Sequence, residues 1–159
     1  MHKNNRIIGQ SAASRCFYLP TAPKLDASWC AQGSDAVEQL IKANGNHWRK
    51  IMTIMAKLSV WNTDWKTYRD LQLLKQNESI AIEAIKLNAH SQLHFVCGQQ
   101  SAQRLQLNLE EFKPLIGTEA LIRKHINQPI YLCPYLDYRQ FPNRYIDTVR
   151  QSVGLPLLS

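Results

Sequence analysis

The 159-residue chain has no stretch of 18 or more consecutive apolar residues, the minimum material of a membrane-spanning helix. Its N-terminus, Met1-His2-Lys3-Asn4-Asn5-Arg6, is basic, but no apolar h-region follows it, so a secretory signal is not expected. The simplest address is the cytoplasm. Cysteine is sparse: Cys16, Cys30, Cys97 and Cys133 stand far apart and form no CxxC pair. That spacing argues against a disulfide framework or a zinc finger. The apolar runs around Cys16, Cys97 and Cys133 mark them instead as small buried hydrophobes. His94 and Cys97 are three apart on an expected strand, so they face opposite ways and make no metal pair. Also missing are a P-loop, a dinucleotide fingerprint and a GxSxG elbow. Neither metal nor cofactor is expected. No repeat, low-complexity tract or Pro/Gly/Ser linker divides the chain, so residues 1–159 read as one domain, with 1–13 as a flexible arm.

What is present suits a globular protein. Hydrophobic residues make up 45% of the chain, enough for a core without metal or disulfide support. Nineteen Lys and Arg against twelve Asp and Glu give a formal net charge of +7. Such a balance favours an anionic partner, DNA or a nucleotide. The basic residues are nevertheless spread out, with no run of five or six, so charge alone outlines no footprint.

Residues 14–19 are strand formers that run into Pro20 and Pro23. Ser34 or Asp35 can cap a helix to about Ala43, with Val37, Leu40 and Ile41 on one face. Asn44-Gly45-Asn46 is a stop-and-restart signal in which Gly45 ends one helix and Asn46 caps the next. That next helix, over 47–58, carries Trp48, Ile51, Met52, Met55 and Leu58 on one stripe. Asp64 should cap a helix to Gln76. Residues 78–88 read as a further helix, although Ile80, Ile82, Ile85 and Leu87 also suit a strand. Two strand-then-helix units follow: 93–97, Gly98 and a helix over 99–107, then 130–133, a loop over 134–141 and a helix over 142–153. A connecting helix over 118–127 joins them. Alternating strands and helices predict an α/β domain of three layers, its short, mostly parallel sheet flanked by helices.

In such folds ligands bind beyond the carboxyl ends of the strands. That rim comprises residues 20–24, 98–100 and 134–141. Gly98 permits a close turn, and the N–H groups of Gln99 and Gln100 at a helix start can hold an anion. In the last loop, Tyr135, Tyr138 and Phe141 can stack on a base, Arg139 can meet a phosphate, and Asp137 can act as a general base. The same aromatics can instead cover the sheet edge, leaving Asp137 and Arg139 solvated.

Three of these segments, in this order, resemble the uracil-DNA glycosylase superfamily, especially its mismatch-specific and hypoxanthine-type branches. Members open a helix with Asn-x-Phe-Trp, where this chain has Asn46-His47-Trp48-Arg49-Lys50-Ile51. They have an apolar strand ending in Gly before a small-residue helix, similar to Leu93-His94-Phe95-Val96-Cys97-Gly98-Gln99-Gln100-Ser101-Ala102. A later strand ends in a His-Pro-Ser or Pro-Ser-Thr-Ser-Pro loop before a helix, where this chain has Leu132-Cys133-Pro134-Tyr135-Leu136-Asp137-Tyr138. The likeness spans residues 15–153 and implies a central parallel sheet flanked by helices.

The family's catalytic positions are filled differently. Where members place a water-positioning Asp, Asn or Ser after the first strand, this chain reads Pro20-Thr21-Ala22-Pro23-Lys24, with no carboxylate before Asp26. Tyr135, Leu136 and Asp137 replace the second motif's His or Ser. Trp48 matches the base-stacking aromatic, but Arg49 stands where the next Trp would be, and Trp48 also leads the apolar stripe. The expectation is a non-catalytic member of that fold that binds nucleic acid or a nucleotide. Its contacts would be Lys24, Asn46, Trp48, Arg49, Gly98, Gln99, Tyr135, Tyr138 and Arg139. The alternatives are a divergent base-excision hydrolase using Asp137 or Asp26, and a protein-interaction module presenting the tail Leu155-Pro156-Leu157-Leu158.

Overall fold

A computed structural model describes residues 6–158. Residues 1–5 of the expected arm lie outside the described residues, but 6–13 are not an arm. Arg6–Gly9 form a first strand, β1, and Ala13 is buried. The other strands are β2 (Arg15–Leu19), β3 (Glu78–Ile82), β4 (Leu93–Cys97), β5 (Phe112–Pro114), β6 (Arg123–His125) and β7 (Ile130–Cys133). The helices are α1 (Ala36–Asn44), α2 (Asn46–Ser59), α3 (Trp65–Leu71), α4 (Gln99–Arg104) and α5 (Asn143–Ser152).

The α/β class expected from the sequence holds, but the sheet is mixed rather than mostly parallel. Its seven strands run in the order β1-β3-β2-β4-β7-β6-β5. Four adjacent strands, β3, β2, β4 and β7, are mutually parallel, joined by three parallel pairings. The other three pairings, β1 with β3, β6 with β7 and β5 with β6, are antiparallel. From β2 the chain moves outward to β3, then returns past β2 to β4 on its other side. The crevice between the carboxyl ends of β2 and β4 is therefore the topological switch point.

Periodicity accounts for the larger core. Val37, Leu40 and Ile41 of α1, Ile51, Met52 and Met55 of α2, and Tyr145, Ile146 and Val149 of α5 pack on Phe17, Ile80, Phe95 and Tyr131. Each fully buried aliphatic side chain there contributes roughly 1.5–3 kcal/mol. Ile51→Ala would cost about 2–5 kcal/mol through the cavity it leaves. The opposite face carries a smaller core of Cys16, Tyr18, Val96 and Ile130 with Leu105 and Phe112. His94 belongs to that face, its Nδ1 2.7 Å from the Tyr18 hydroxyl, whereas Cys97 lies in the larger core.

Helix ends follow local chemistry with several adjustments. Gly45, at φ 83°, closes α1 through its N–H to Ile41 O and is itself the residue before α2, so Asn46 is the helix's first residue rather than its cap. Asp64 caps α3 by accepting from Thr67 N, but the helix stops at Leu71, short of Gln76, with Leu74 at φ 71°. Likewise α4 stops at Arg104, before Gln106 at φ 54°. Pro142 precedes α5 rather than opening it.

Two expected helices are absent among the described residues. Residues 78–82 form β3, whose five residues are all buried between β1 and β2, a burial that a helix of period 3.6 does not produce. Residues 118–127 hold a turn and β6, because Gly117, Glu119 and Ala120 lie at φ 93°, 54° and 64°, outside the helical region.

The tail folds back. The fully buried Arg150 donates to the carbonyls of Lys57 (2.8 Å), Val60 (2.7 Å), Asn62 (3.0 Å) and Pro156 (2.7 Å). Leu158 N donates to Asp147, and Leu158 packs on the core, leaving Leu157 as the exposed apolar member of the tail. No helix among the described residues is long and apolar enough to cross a membrane.

Candidate functional site

The three strand-end loops converge. Pro20 after β2, Gly98, Gln99 and Gln100 after β4, and Cys133, Pro134 and Tyr135 at the end of β7 line one cleft of about 580 Å³, closed at its side by Leu121 and Gln140. It lies at the switch point, where the connections leaving the paired strands β2 and β4 run to opposite sides and leave room above the sheet. No charged side chain lines it: the polar groups are three glutamine amides and the Tyr135 hydroxyl. Each amide both donates and accepts, so such a lining suits a neutral ring with mixed polar edges.

Gly98 makes the cleft possible. Its φ of 91° and ψ of 160° lie where only glycine is comfortable, and its N–H donates to Cys133 O at 2.8 Å, tying the β4 loop to the β7 loop. A Cβ there would meet Tyr135 at an ordinary 3.8 Å, so backbone conformation, not space, demands the glycine. The helix it starts, α4, is only six residues long.

Tyr135 is half-buried at the cleft mouth. Its hydroxyl is 3.1 Å from His47 Nε2, with the two rings 5.6 Å apart. Burial pushes the Tyr135 phenol above its ordinary value, so it remains a neutral hydroxyl. This contact staples the start of α2 to the loop after β7.

The neighbouring Asp137 serves that loop's own geometry. One carboxylate oxygen accepts from Arg139 N at 3.0 Å, an Asx turn, while Asp137 O accepts from the N–H groups of Gln140 and Phe141. Lys50 Nζ lies 3.7 Å from the other oxygen and Arg139 Nε 4.0 Å from the first. The Arg139 amide chiefly holds the Asp137 carboxyl below its usual range; desolvation opposes it, and Lys50, Arg139 and His47 add smaller downward pulls. A carboxylate so held is a weak base and does not line the cleft.

The other expected contacts divide between the rim and elsewhere. Gly98, Gln99 and Tyr135 line the cleft. Asn46 and Arg49 are exposed at the start of α2, and the Arg139 side chain is 89% exposed, so all three meet solvent and none lines the cleft. Trp48 is only 4% exposed and packs in the larger core, so its ring is not a stacking surface. Tyr138 leans on the same core with Lys57 Nζ 5.0 Å over its ring. Lys24 brackets Asn44 through both its N–H and carbonyl and lines a separate hollow with Asp26 and Trp29.

Sequence reasoning placed Gln140 within the rim without a role and missed His47, Lys50 and Leu121. His47 had a usable signal, since a helix that buries Trp48 turns the preceding residue about 100° away, towards the loops. Leu121 had none, because its place depends on the turn that replaced the expected helix.

A family model matches residues 6–154, nearly the whole chain. The chain belongs to the DUF6942 family, a family of unknown function. No curated protein and no solved structure matches it. The match to DUF6942 covers every strand and helix described, so the cleft and the residues around it all fall within the family's extent.

Proposed function

We propose that this DUF6942 protein binds nucleic acid or a nucleotide at the carboxyl-end cleft, without conventional base-excision activity. The observation that carries the reading is the convergence of Gly98, Gln99, Gln100 and Tyr135 on one uncharged, amide-lined cleft at the switch point. A base would lie against Tyr135 with its polar edge towards the amides, and its phosphate would lie outward, towards Arg49 and Arg139. The four parallel inner strands, with helices on the sheet, support the likeness to the uracil-DNA glycosylase superfamily. Hydrolysis is disfavoured because excision needs an activated water and charge stabilisation for the leaving base. Asp137, the nearest carboxylate in the loop, is bound up in its own turn and with Lys50.

Fluorescence anisotropy with labelled single- and double-stranded oligonucleotides, and with a labelled nucleotide, tests this at low and at physiological salt. Binding should be strongest at low salt, where phosphate contacts count most. Tyr135→Ala should weaken it about 5- to 150-fold, the equivalent of ~1–3 kcal/mol per stacked base. Absence of binding to every probe at low salt overturns the proposal. Release of a base from uracil- or hypoxanthine-containing oligonucleotides would replace it with the hydrolase reading.

A further inference from the structure

The opposite end of the parallel strands holds a second hollow, of about 610 Å³, between the starts of β2, β4 and β7 and the end of α5. Its volume is in the range of small-molecule sites. We propose that it is a binding site for a small anion of the phosphomonoester class with a body of mixed polarity, independent of the carboxyl-end cleft.

Two cations line it, Arg15 from β2 and Lys124 from β6, and no carboxylate does. Arg15 Nη1 is held 3.2 Å from the buried Glu78 carboxylate behind it, which fixes the guanidinium's direction. Its other N–H groups make no side-chain hydrogen bond among the described residues, leaving donors for a ligand. Lys124 Nζ donates to the carbonyl of His125 at 3.3 Å and lies 5.8 Å from the centre of the Tyr131 ring, and it pairs with no carboxylate among the described residues.

The register makes Lys124 unusual. It lies directly opposite Lys113 across β5 and β6, a like-charge pairing that weakens an antiparallel ladder. Lysine on an edge strand guards against sheet-to-sheet association, which accounts for Lys113 on β5. Lys124 is on β6, an inner strand with Tyr131 as its other neighbour, where that purpose does not apply. A bound anion would supply the missing counter-charge.

The remaining lining sets neutral hydrogen-bonding side chains, Ser14, Gln92 and Gln128 among them, beside the apolar Leu93, Pro129 and Val153, which suits a phosphate carried on a body of mixed polarity. The walls are held before any ligand arrives. His125 Nδ1 accepts from Asn127 N and Gln128 N, and Ser14 O accepts from Gln92 N and Leu93 N. Near the end of α5, the carbonyls of Val149, Arg150 and Gln151 accept from the N–H groups of Val153, Gly154 and Leu155, which offsets part of the negative end of the helix.

The test is an NMR titration of the ¹⁵N-labelled full chain with ribose 5-phosphate and inorganic phosphate, using ribose as the uncharged control. Amide shifts should move at Ser14, Gln92 and Gln128, not at Gly98 or Tyr135, and affinity should fall with salt. Lys124→Gln should weaken binding about tenfold or more, while Lys124→Arg retains it. Tyr135→Ala should leave it unchanged, which separates this site from the cleft. The proposal is overturned by no response to either phosphate at low salt, by an equal response to ribose, or by a response that Lys124→Gln leaves intact.

Discussion

At the amino ends of the parallel strands, Glu78 lies fully buried beneath Arg15, accepting also from the Tyr68 hydroxyl and Leu74 N. At the carboxyl ends, Asp137 stands partly exposed among the Arg139 amide, Lys50 and Arg139. Both are carboxylates beside basic groups, yet they are pushed in opposite directions. Burial raises the Glu78 carboxyl above its ordinary 4.5, with Tyr68, the Leu74 amide and Arg15 pulling back. The Arg139 amide, helped by the nearby cations, lowers the Asp137 carboxyl below its ordinary 3.8 and outweighs the desolvation that opposes it. Solvent access, not the count of nearby cations, decides the sign. The same contrast runs through the two hollows: the amino end presents cations without enough counter-charge, and the carboxyl end presents neutral amides and a ring.

The largest effect expected tests whether the ends are parts of one unit. Arg150→Ala removes the donor from the buried carbonyls of Lys57 and Val60, at ~1–3 kcal/mol each, or about 2–6 kcal/mol together. Urea denaturation should show one transition moved to lower concentration, with hydrogen exchange rising at both ends together. Two separated transitions would mean that the ends are held by different parts of the core.

Gly98→Ala sharpens the comparison from one side. The strained φ should cost about 1–3 kcal/mol of stability and distort the carboxyl-end cleft. Ligand binding at that end should fall while the phosphate response at the amino end persists, read by the same two titrations. Loss of both would show that the hollows are coupled.

The smallest effects are in pH dependence, and their signs oppose. Glu78 has a raised folded pKa, so its contribution is fully present below the ordinary glutamate value and lost as pH climbs through the raised one. Asp137 has a depressed folded pKa, so its contribution is present above the ordinary aspartate value and lost as pH falls through the depressed one. Glu78→Gln should therefore flatten the fall in stability on raising pH from the acid side. Asp137→Asn should flatten the loss at the acid extreme. Denaturant midpoints measured across acid pH would expose a wrong sign in either.

The parts of the fold legible in the sequence were those whose pattern is local. Val37, Leu40 and Ile41, the stripe from Trp48 to Leu58, and Tyr145, Ile146 and Val149 each announce a helical face, and each is buried as that face requires. Apolar runs ending at Pro20, Gly98 and Pro134 marked β2, β4 and β7, and with them the rim of the cleft. Residues 78–82 were ambiguous because isoleucines two apart, followed by Ile85 and Leu87, fit either period over so short a run. The strands Phe112–Pro114 and Arg123–His125 carry little apolar alternation, so pairing alone makes them strands.

By itself the sequence determined that this chain is an α/β protein with a basic surface, and which loops follow the inner strands. It did so because apolar spacing and turn residues act over a few neighbours. Only the tertiary structure decided that those loops share a cleft, that His47 meets Tyr135 across 88 positions of chain, and that Arg15 and Lys124 face one hollow. Those facts depend on strand order and register, which are set by contacts between segments that the sequence holds far apart.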